Sequence, residues 1–165
     1  MKEVENMTIK TYVINLKNSV DRRRNVLAEL SKYPFMNYEL VEAVDGREMS
    51  QEDVDHLFDC KRFSWRNGRE VMPGEIGCTL SHRECYRKLL SSKEEFALVL
   101  EDDVRFLAEE NWVEDLIGTI SGRMSGKPRV VTLTRHHVYY SRGEHPVGGK
   151  YSLCRVREAW GTCAY

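Results

Sequence analysis

The sequence predicts an α/β domain in which helices flank a mostly parallel sheet. Apolar segments rich in β-branched residues alternate along the chain with segments of helical periodicity, which is typical of this class. The 165 residues are 41% hydrophobic and 31% charged, a composition that suffices for one domain with its own core. No internal repeat, low-complexity tract or linker divides the chain, so we expect a single domain over 1–165.

The first strand and helix are predicted close to the N-terminus. TIKTYVINL (8–16) is rich in β-branched and apolar residues and is typical of a buried strand. The segment NSVDRRRNVLAELSKYP then predicts a helix, for which Asn18 or Ser19 can serve as the cap and Pro34 as the end.

The next part of the chain predicts a second strand, a short helix and a loop. The strand, in MNYELVEAVDG, runs into a turn at Asp45–Gly46. SQEDVDHLF predicts a helix that Ser50 caps. Residues 59–73 break the periodicity and carry several basic side chains, so we expect a surface loop there.

The remaining elements follow the same alternation. Pro73 begins a long helix with small and apolar residues at helical spacing, and FALVL (96–100) predicts a buried strand after it. Further along, the pattern predicts a helix at 109–121, a buried strand at 129–135, an irregular loop at 136–149 and a last strand at 151–160. The chain stops at GTCAY without a polar tail or a helix cap, so we expect the domain to be incomplete at its C-terminus.

Charge and composition exclude some classes of protein. The formal net charge is −1, and nucleic-acid-binding domains usually carry a basic excess, so we expect no nucleic acid partner. No run of apolar residues approaches the length that a membrane span needs, and the N-terminus lacks the apolar region of a secretory signal. The five cysteines form no close CxxC pair, which indicates a reducing compartment. We expect a cytoplasmic location, which is compatible with peripheral attachment to the inner face of a membrane.

Three carboxylates follow the predicted strand FALVL without a break. Like charges at this spacing repel one another and need a compensating cation or basic groups. In an open α/β sheet, ligands bind beyond the carboxyl ends of the strands, and paired carboxylates suit Mg²⁺ or Mn²⁺ with substrate phosphates. If the strand geometry persists, Glu101 and Asp103 share a face and Asp102 points oppositely. On residue types alone, acidic groups that cap a helix or lie in water explain the triplet equally well.

The segment GEIGCTLSH (74–82) is the second informative stretch. Its glycines allow a close backbone approach, and the backbone N–H groups of a helix start favour phosphate, although a plain helix start with a polar patch explains it as well. Cys78, His82 and Cys85 lie on one helical face and invite a zinc interpretation. Because a fourth ligand is missing from this set, we favour a packed core face.

Four segments together resemble one family. YVINLKNSVDRR, VEAVDG, PGEIGCTLSH and ALVLEDDV occur in the order and spacing found in glycosyltransferase family 25, the bacterial lipooligosaccharide β-galactosyltransferases and their collagen galactosyltransferase relatives. The likeness covers about the first two-thirds of the chain, and GTCAY resembles the family's next landmark. The strand RVVTLTR departs from the family, in which an Asp is expected near its start, and family members continue beyond that landmark.

The resemblance implies a Rossmann-like fold of the GT-A type with a nucleotide-sugar site. It implies a DxD-type metal site for Mn²⁺ or Mg²⁺ at Glu101, Asp102 and Asp103. The implied nucleotide contacts are Asn15, Asp21 and Arg22, with Asp45 and Gly46 near the base or ribose. The residues implied to line the donor or acceptor side of the cleft are Glu75, Ser81 and His82.

From this resemblance we predict a metal-dependent, inverting glycosyltransferase that moves a sugar, galactose by the family's example, from a UDP-sugar to a lipooligosaccharide-type glycan. The catalytic base is open, with Asp102, Glu158 or a residue beyond Tyr165 as candidates. Two alternatives stay open. One is another metal-dependent phosphate enzyme, such as a nucleotidyltransferase, and the other is a truncated or degenerate donor-binding module without turnover.

Overall fold

A computed structural model describes residues 8–106, the single positions 120, 130, 131 and 133, and four short strands further along the chain. The chain divides into two compact units, one formed by Thr8–Arg105 and the other by Met1–Met7 with Phe106–Tyr165. In the first unit the elements are β1 (Ile9–Asn15), α1 (Val20–Leu30), β2 (Met36–Glu42), α2 (Gln51–Leu57), α3 (Cys60–Asn67), α4 (Pro73–Leu90) and β3 (Leu98–Glu101).

The first unit contains a parallel sheet with the strand order β2-β1-β3. Strand β1 is central, pairing with β2 from Ile9 opposite Met36 onward and with β3 from Thr11 opposite Leu98 onward. The side chains of β1 are buried at almost every position, as expected for a parallel strand covered on both faces. The α/β class and the parallel sheet are therefore confirmed.

Helix α4 ties the core of this unit together. Its Cys85 packs with Tyr12, Ile14 and Val41 from the sheet, so the C-terminal half of the helix covers one face of β1 and β2. Its N-terminal half contributes Ile76 and Leu80 to a second cluster around Val54 of α2. Burial of these apolar groups fixes the helix against the sheet along its length.

The predicted surface loop at 59–73 is wrong, because it contains the two-turn helix α3. Asp59 caps the start of α3 by accepting a hydrogen bond from the backbone N–H of Arg62 at 2.9 Å. Gly68 ends the helix in the left-handed conformation, with φ of 67°, which glycine adopts without steric cost. Between them Phe63 is buried and anchors the helix. The basic side chains that masked this pattern lie on its exposed side.

The helices predicted after Ser19, after Ser50 and from Pro73 onward are confirmed with small corrections. Ser50 caps α2, accepting a hydrogen bond from the N–H of Asp53 at 3.1 Å. Helix α1 begins after Ser19, whose side chain makes no capping hydrogen bond, and it ends at Leu30 rather than at Pro34. The predicted helix at 109–121 lies outside the described residues except for Ile120, which is helical.

The described residues of the second unit include four short strands: β4 (His137–Tyr139), β5 (His145–Gly148), β6 (Tyr151–Leu153) and β7 (Val156–Ala159). They form two antiparallel pairs, β4 with β7 and β5 with β6. The segment 136–149, expected to be an irregular loop, therefore contains strands β4 and β5. The segment 151–160, expected to be one strand, contains two, β6 and β7. Three or four residues are too few for alternation to show in a sequence. Of the strand expected at 129–135, the described residues Val130, Val131 and Leu133 are not in a strand.

Among the described helices, none combines the length and the apolar character that crossing a membrane requires.

Candidate functional site

The carboxyl ends of the three parallel strands bring predicted site residues to one edge of the sheet. Strand β1 ends at Asn15, β2 ends at Glu42 just before the Asp45–Gly46 turn, and β3 ends at Glu101. Ligands of open α/β sheets bind at this edge.

A contact network joins the end of β1, the start of α1 and the residues after β3. Asn15 is buried, and its Nδ2 donates a hydrogen bond to Asp102 Oδ2 at 2.6 Å. Arg22 Nη2 lies 2.5 Å from Asp102 Oδ1 and 2.9 Å from Asp103 Oδ2. Arg22 thereby offsets the repulsion between two neighbouring carboxylates. Basic side chains were expected to contribute to this compensation, and the one that contacts Asp102 and Asp103 is an arginine of α1.

The acidic triplet is divided by the end of β3. The chain turns immediately after Glu101, with the N–H of Val104 donating to the carbonyl of Glu101 at 3.2 Å. Asp102 and Asp103 therefore both contact Arg22, while Glu101 contacts α4. The expectation that Glu101 and Asp103 share one face is wrong, because strand geometry does not persist past Glu101.

Arg23 belongs to the same network and was missed from the sequence. Its Nε donates to Asn15 Oδ1 at 2.7 Å, and its Nη2 donates to the carbonyl of Lys17 at 2.9 Å. These bonds fix the amide of Asn15 so that its Nδ2 faces Asp102. A signal for it was available in the run DRRR, in which only the first arginine had been singled out.

A second contact group lies on the other side of Glu101. His82 Nε2 is 3.4 Å from Glu101 Oε1, and Cys78 Sγ is 3.9 Å from the same oxygen. His82 is buried, and Cys78 and Glu101 are partly exposed. Cys85 takes no part, because it is buried in the core and burial raises the pKa of its thiol to about 12. The core packing expected for this helical face is thus found at Cys85.

The Asp45–Gly46 turn packs against the start of α4. Asp45 accepts hydrogen bonds from the side chain and the backbone N–H of Arg47, and these bonds lower the pKa of its carboxyl to about 2. A Cβ on Gly46 would overlap the carbonyl of Pro73, and one on Gly77 would overlap the carbonyl of Val44. The close approach predicted for the glycines of α4 therefore holds at Gly77.

Two residues implied to line a cleft hold α4 in place. Ser81 is 1% exposed, and its hydroxyl accepts from the N–H of Val44 at 2.9 Å and donates to the carbonyl of Gly77 at 2.6 Å. Glu75 accepts from the N–H of Met72 at 2.9 Å and pairs with Arg69, whose hydrogen bonds lower the pKa of the Glu75 carboxyl. Glu75 thus stabilises the first turn of the helix, and the Ser81 hydroxyl joins the middle of the helix to Val44.

A cleft of about 390 Å³ lies beside the network, between α1 and the residues after β3. This volume is within the range of small-molecule sites. Arg22, Asp102 and Asp103 form part of its lining, together with Lys32 and Arg105.

Asp21, a predicted nucleotide contact, is exposed and pairs with Arg24 at 2.9 Å. Glu158, a candidate base, lies in β7, of whose side chains nothing is described.

Comparison with known proteins gives the chain a family context. It is 36% identical over 98 residues to procollagen galactosyltransferase 2 of Homo sapiens, covering 58% of this chain and 16% of that protein. It is 36% identical over 124 residues to the procollagen lysyl hydroxylase and glycosyltransferase of Acanthamoeba polyphaga mimivirus, covering 66% and 13%. It is also 31% identical over 106 residues to the "Probable inactive glycosyltransferase 25 family member 3" of Rattus norvegicus, covering 62% and 18%.

The chain thus aligns with less than a fifth of the length of these relatives. The model of a family described as "Glycosyltransferase family 25 (LPS biosynthesis protein)" matches residues 8–140, which is most of the chain. This range includes the whole parallel sheet and the Asn15–Arg22–Asp102–Asp103 network. The resemblance seen in the four sequence segments is therefore confirmed, and the chain belongs to glycosyltransferase family 25.

Proposed function

We propose that this chain forms the donor site of a metal-dependent, inverting glycosyltransferase that moves galactose from UDP-galactose to a lipopolysaccharide-type glycan. Membership of family 25 supports sugar transfer, and the family's description refers to lipopolysaccharide biosynthesis. The names of several relatives refer to galactosyl transfer, which supports galactose as the sugar.

The observation that carries the proposal is the placement of Arg22 beside Asp102 and Asp103 at the carboxyl end of β3. The Asp103 side chain is 67% exposed and Arg22 is 49% exposed, so both can reach a ligand. A carboxylate offers the hard oxygen atoms that Mg²⁺ and Mn²⁺ prefer, and a guanidinium matches the oxygens of a diphosphate. The two groups thus suit the two charged parts of a metal–nucleotide donor.

The residues of the network have distinct tasks in this proposal. Asp103 offers oxygen ligands to the cation, and a cation bound there would neutralise charge on the departing diphosphate. Arg22 donates hydrogen bonds to the diphosphate. Asn15 holds the buried Asp102, whose hydrogen bond and ion pair keep the turn after β3 in place. Such preorganised charges accelerate a displacement by positioning and by electrostatic stabilisation.

An inverting transfer also needs a base within hydrogen-bond reach of the acceptor hydroxyl. Asp102 is a weak candidate, because Asn15 contacts one of its oxygens and Arg22 contacts the other. Glu158 and a residue beyond Tyr165 then stay open as candidates. If Glu158 is the base, Glu158→Gln should abolish transfer and leave UDP binding unchanged, whereas transfer by that variant would assign the base to a residue beyond Tyr165.

A calorimetric titration of UDP into the full chain tests the donor site. We expect binding in the presence of Mn²⁺, loss of binding with EDTA, and loss of binding in Asp103→Asn. The control is Glu52→Gln, a substitution at an exposed carboxylate of α2, which should bind as the wild type does. Circular dichroism verifies that both variants are folded. Binding that survives EDTA, or that is equal in Asp103→Asn and the wild type, would remove the acidic residues from the donor site.

The transfer reaction is tested with radiolabelled UDP-galactose and two acceptors. Label appearing on a lipopolysaccharide core glycan supports the proposed acceptor, whereas label only on procollagen would reassign the acceptor to the class named in the relatives. Pyrophosphate as the product, in place of UDP, would identify a nucleotidyltransferase. Binding of UDP without transfer to either acceptor would favour a donor-binding module, in line with the name of the rat relative.

A further inference from the structure

We propose that Cys78, His82 and Glu101 form a binding site for a tetrahedral transition-metal ion, with Zn²⁺ as the expected ion. The thiol sulfur, a ring nitrogen and a carboxylate oxygen of these residues all lie within 4.8 Å of one another. The site is separate in its ligands from the Arg22–Asp102–Asp103 network, and it does not depend on the proposed sugar transfer.

The fold brings the three side chains together by two separate devices. Cys78 and His82 are four residues apart in α4, so they lie one turn apart on the same face of the helix. Glu101 is the last residue of β3, and the turn that follows directs Asp102 and Asp103 to Arg22. The residue before Cys78 is Gly77, which lies against the Val44 carbonyl. This contact sets how closely α4 approaches the turn after β2.

The distances are close to those of a tetrahedral zinc site. Zinc bonds of about 2.3 Å to sulfur and about 2.0–2.2 Å to nitrogen or oxygen imply ligand separations of about 3.4 Å for nitrogen and oxygen, and about 3.6 Å for sulfur and oxygen. The observed separations are 3.4 Å for His82 Nε2 and Glu101 Oε1, and 3.9 Å for Cys78 Sγ and the same oxygen. The third pair, Cys78 Sγ and the His82 ring nitrogen, lies within 4.8 Å, whereas tetrahedral zinc implies about 3.6 Å, so the Cys78 and His82 side chains must rotate toward the ion as it binds.

The chemistry of the ligand set selects the metal. A thiolate and an imidazole favour zinc and other borderline or soft ions, whereas Mg²⁺ and Mn²⁺ favour sets made of oxygen atoms alone. Three protein ligands leave a fourth position for water, the pattern of zinc sites that bind a further ligand. The partial exposure of Cys78 and Glu101 allows such a water to approach.

Cobalt substitution tests this site in the full chain. Co²⁺ replaces zinc and reports its ligands, because thiolate coordination gives a charge-transfer band and four-coordinate geometry gives intense visible bands. After removal of metal by chelation, we expect one Co²⁺ per chain with both signals. Cys78→Ser should lose the charge-transfer band, and Glu101→Gln should keep it but weaken the visible bands. Cys60→Ser is the matched control and should leave both signals unchanged, since Cys60 lies in α3.

Several outcomes overturn the proposal. The first is a wild-type chain that shows no charge-transfer band with Co²⁺. The second is a band that survives Cys78→Ser or disappears in Cys60→Ser. A measurement on the wild type alone covers the case of a variant that does not fold. Bound Zn²⁺ should slow alkylation of Cys78 by iodoacetamide, as followed by peptide mass spectrometry, and equal rates with and without Zn²⁺ would leave only a hydrogen-bonded cluster.

The two proposals fail separately. Loss of Mn²⁺-dependent UDP binding in Asp103→Asn reports on the donor site, and the cobalt signals of that variant should equal those of the wild type. Conversely, Cys78→Ser should lose the cobalt band and keep UDP binding. A chain that binds UDP with Mn²⁺ but gives no cobalt–thiolate band would retain the donor site and lose this metal site.

Discussion

Asn15 and Asp102 are separated by 87 residues in the sequence, and a buried hydrogen bond of 2.6 Å joins their side chains. The bond links the end of the central strand β1 to the turn after its neighbour β3. A buried carboxylate is costly unless donors surround it, so the amide of Asn15 is a requirement for placing Asp102 at this position. The turn that carries Asp103 depends in the same way on a residue of β1.

The substitution Asn15→Ala tests this dependence. It removes a donor from Asp102 and an acceptor from Arg23, and leaving buried polar groups unsatisfied costs about 1–3 kcal/mol. We expect the free energy of unfolding, measured in urea, to fall by that amount. The control is Asn18→Ala at an exposed position, which should change it by less than about 0.5 kcal/mol. Equal effects of the two substitutions would show that the buried hydrogen bond does not contribute measurably to the free energy of unfolding.

Arg22 lies where a divalent cation would compete with it for Asp102 and Asp103. In Arg22→Gln, Mn²⁺ alone should therefore bind more tightly, because the competing positive charge is gone. UDP should bind more weakly by about 10- to 100-fold, since a charge-assisted hydrogen bond contributes about 1.5–3 kcal/mol. Titration calorimetry with each ligand measures both changes.

Arg24→Gln provides the comparison for Arg22→Gln, because Arg24 is also in α1 and pairs with Asp21 on the surface. It should leave both affinities as they are in the wild type. If the two variants bind UDP equally well, then Arg22 does not contact the diphosphate, and its contact with the aspartates is only structural.

The sheet could be predicted from the sequence because its strands are buried, and buried strands are recognised by their apolar residues. Strand β1 is rich in β-branched and apolar residues, and β3 is apolar up to Glu101; such segments between helices are typical of a parallel sheet. Helix α3 was missed although its end signals, Asp59 and Gly68, are both local. Its single buried apolar residue, Phe63, gives too weak a periodic pattern to stand out among basic side chains.

Four residues of the contact network, Asn15, Arg22, Asp102 and Asp103, were named from the sequence, but Arg23 and the contacts themselves were not. Asp102 and Arg22 were both named from the resemblance, yet spacing in a sequence does not reveal that they form an ion pair. The direction of Glu101 depends on whether the strand ends at that residue or continues, and a difference of one residue reverses the face. The contact of Glu101 with His82 was therefore not accessible without the structure.

The glycines of α4 allow a matched pair of substitutions. Gly77→Ala places a methyl group against the carbonyl of Val44. Because this carbonyl belongs to the backbone, it cannot move aside easily, so we expect the free energy of unfolding to fall by about 1–3 kcal/mol. Gly74→Ala meets no atom within 4 Å and should be neutral or stabilising by up to about 1 kcal/mol, because alanine favours a helix. Chemical denaturation of both variants measures the difference. Similar stabilities would show that the turn at Val44 and α4 do not touch as described.

Glu39 gives a prediction about pH. Its carboxylate accepts hydrogen bonds from Lys10 Nζ at 2.6 Å and from Lys88 Nζ at 2.9 Å, and these bonds, Lys10 first, lower its pKa below the ordinary value of 4.5. A pKa that is lower in the folded state means that the ionised group stabilises the fold above pH 4.5, and that this contribution is lost as pH falls through the folded pKa. Because Glu39 is partly exposed, the contribution is about 1 kcal/mol or less.

The measurement for Glu39 is the free energy of unfolding of the wild type and of Glu39→Gln as a function of pH. The wild type should be more stable at neutral pH, and the gap should narrow as pH falls below 4.5 and close below the folded pKa, because the protonated carboxyl then resembles the amide. In a background in which Lys10 and Lys88 are both replaced by methionine, Glu39→Gln should have little effect at any pH. A gap that stays constant or widens as pH falls would mean that the two lysines do not hold this carboxylate in its ionised form.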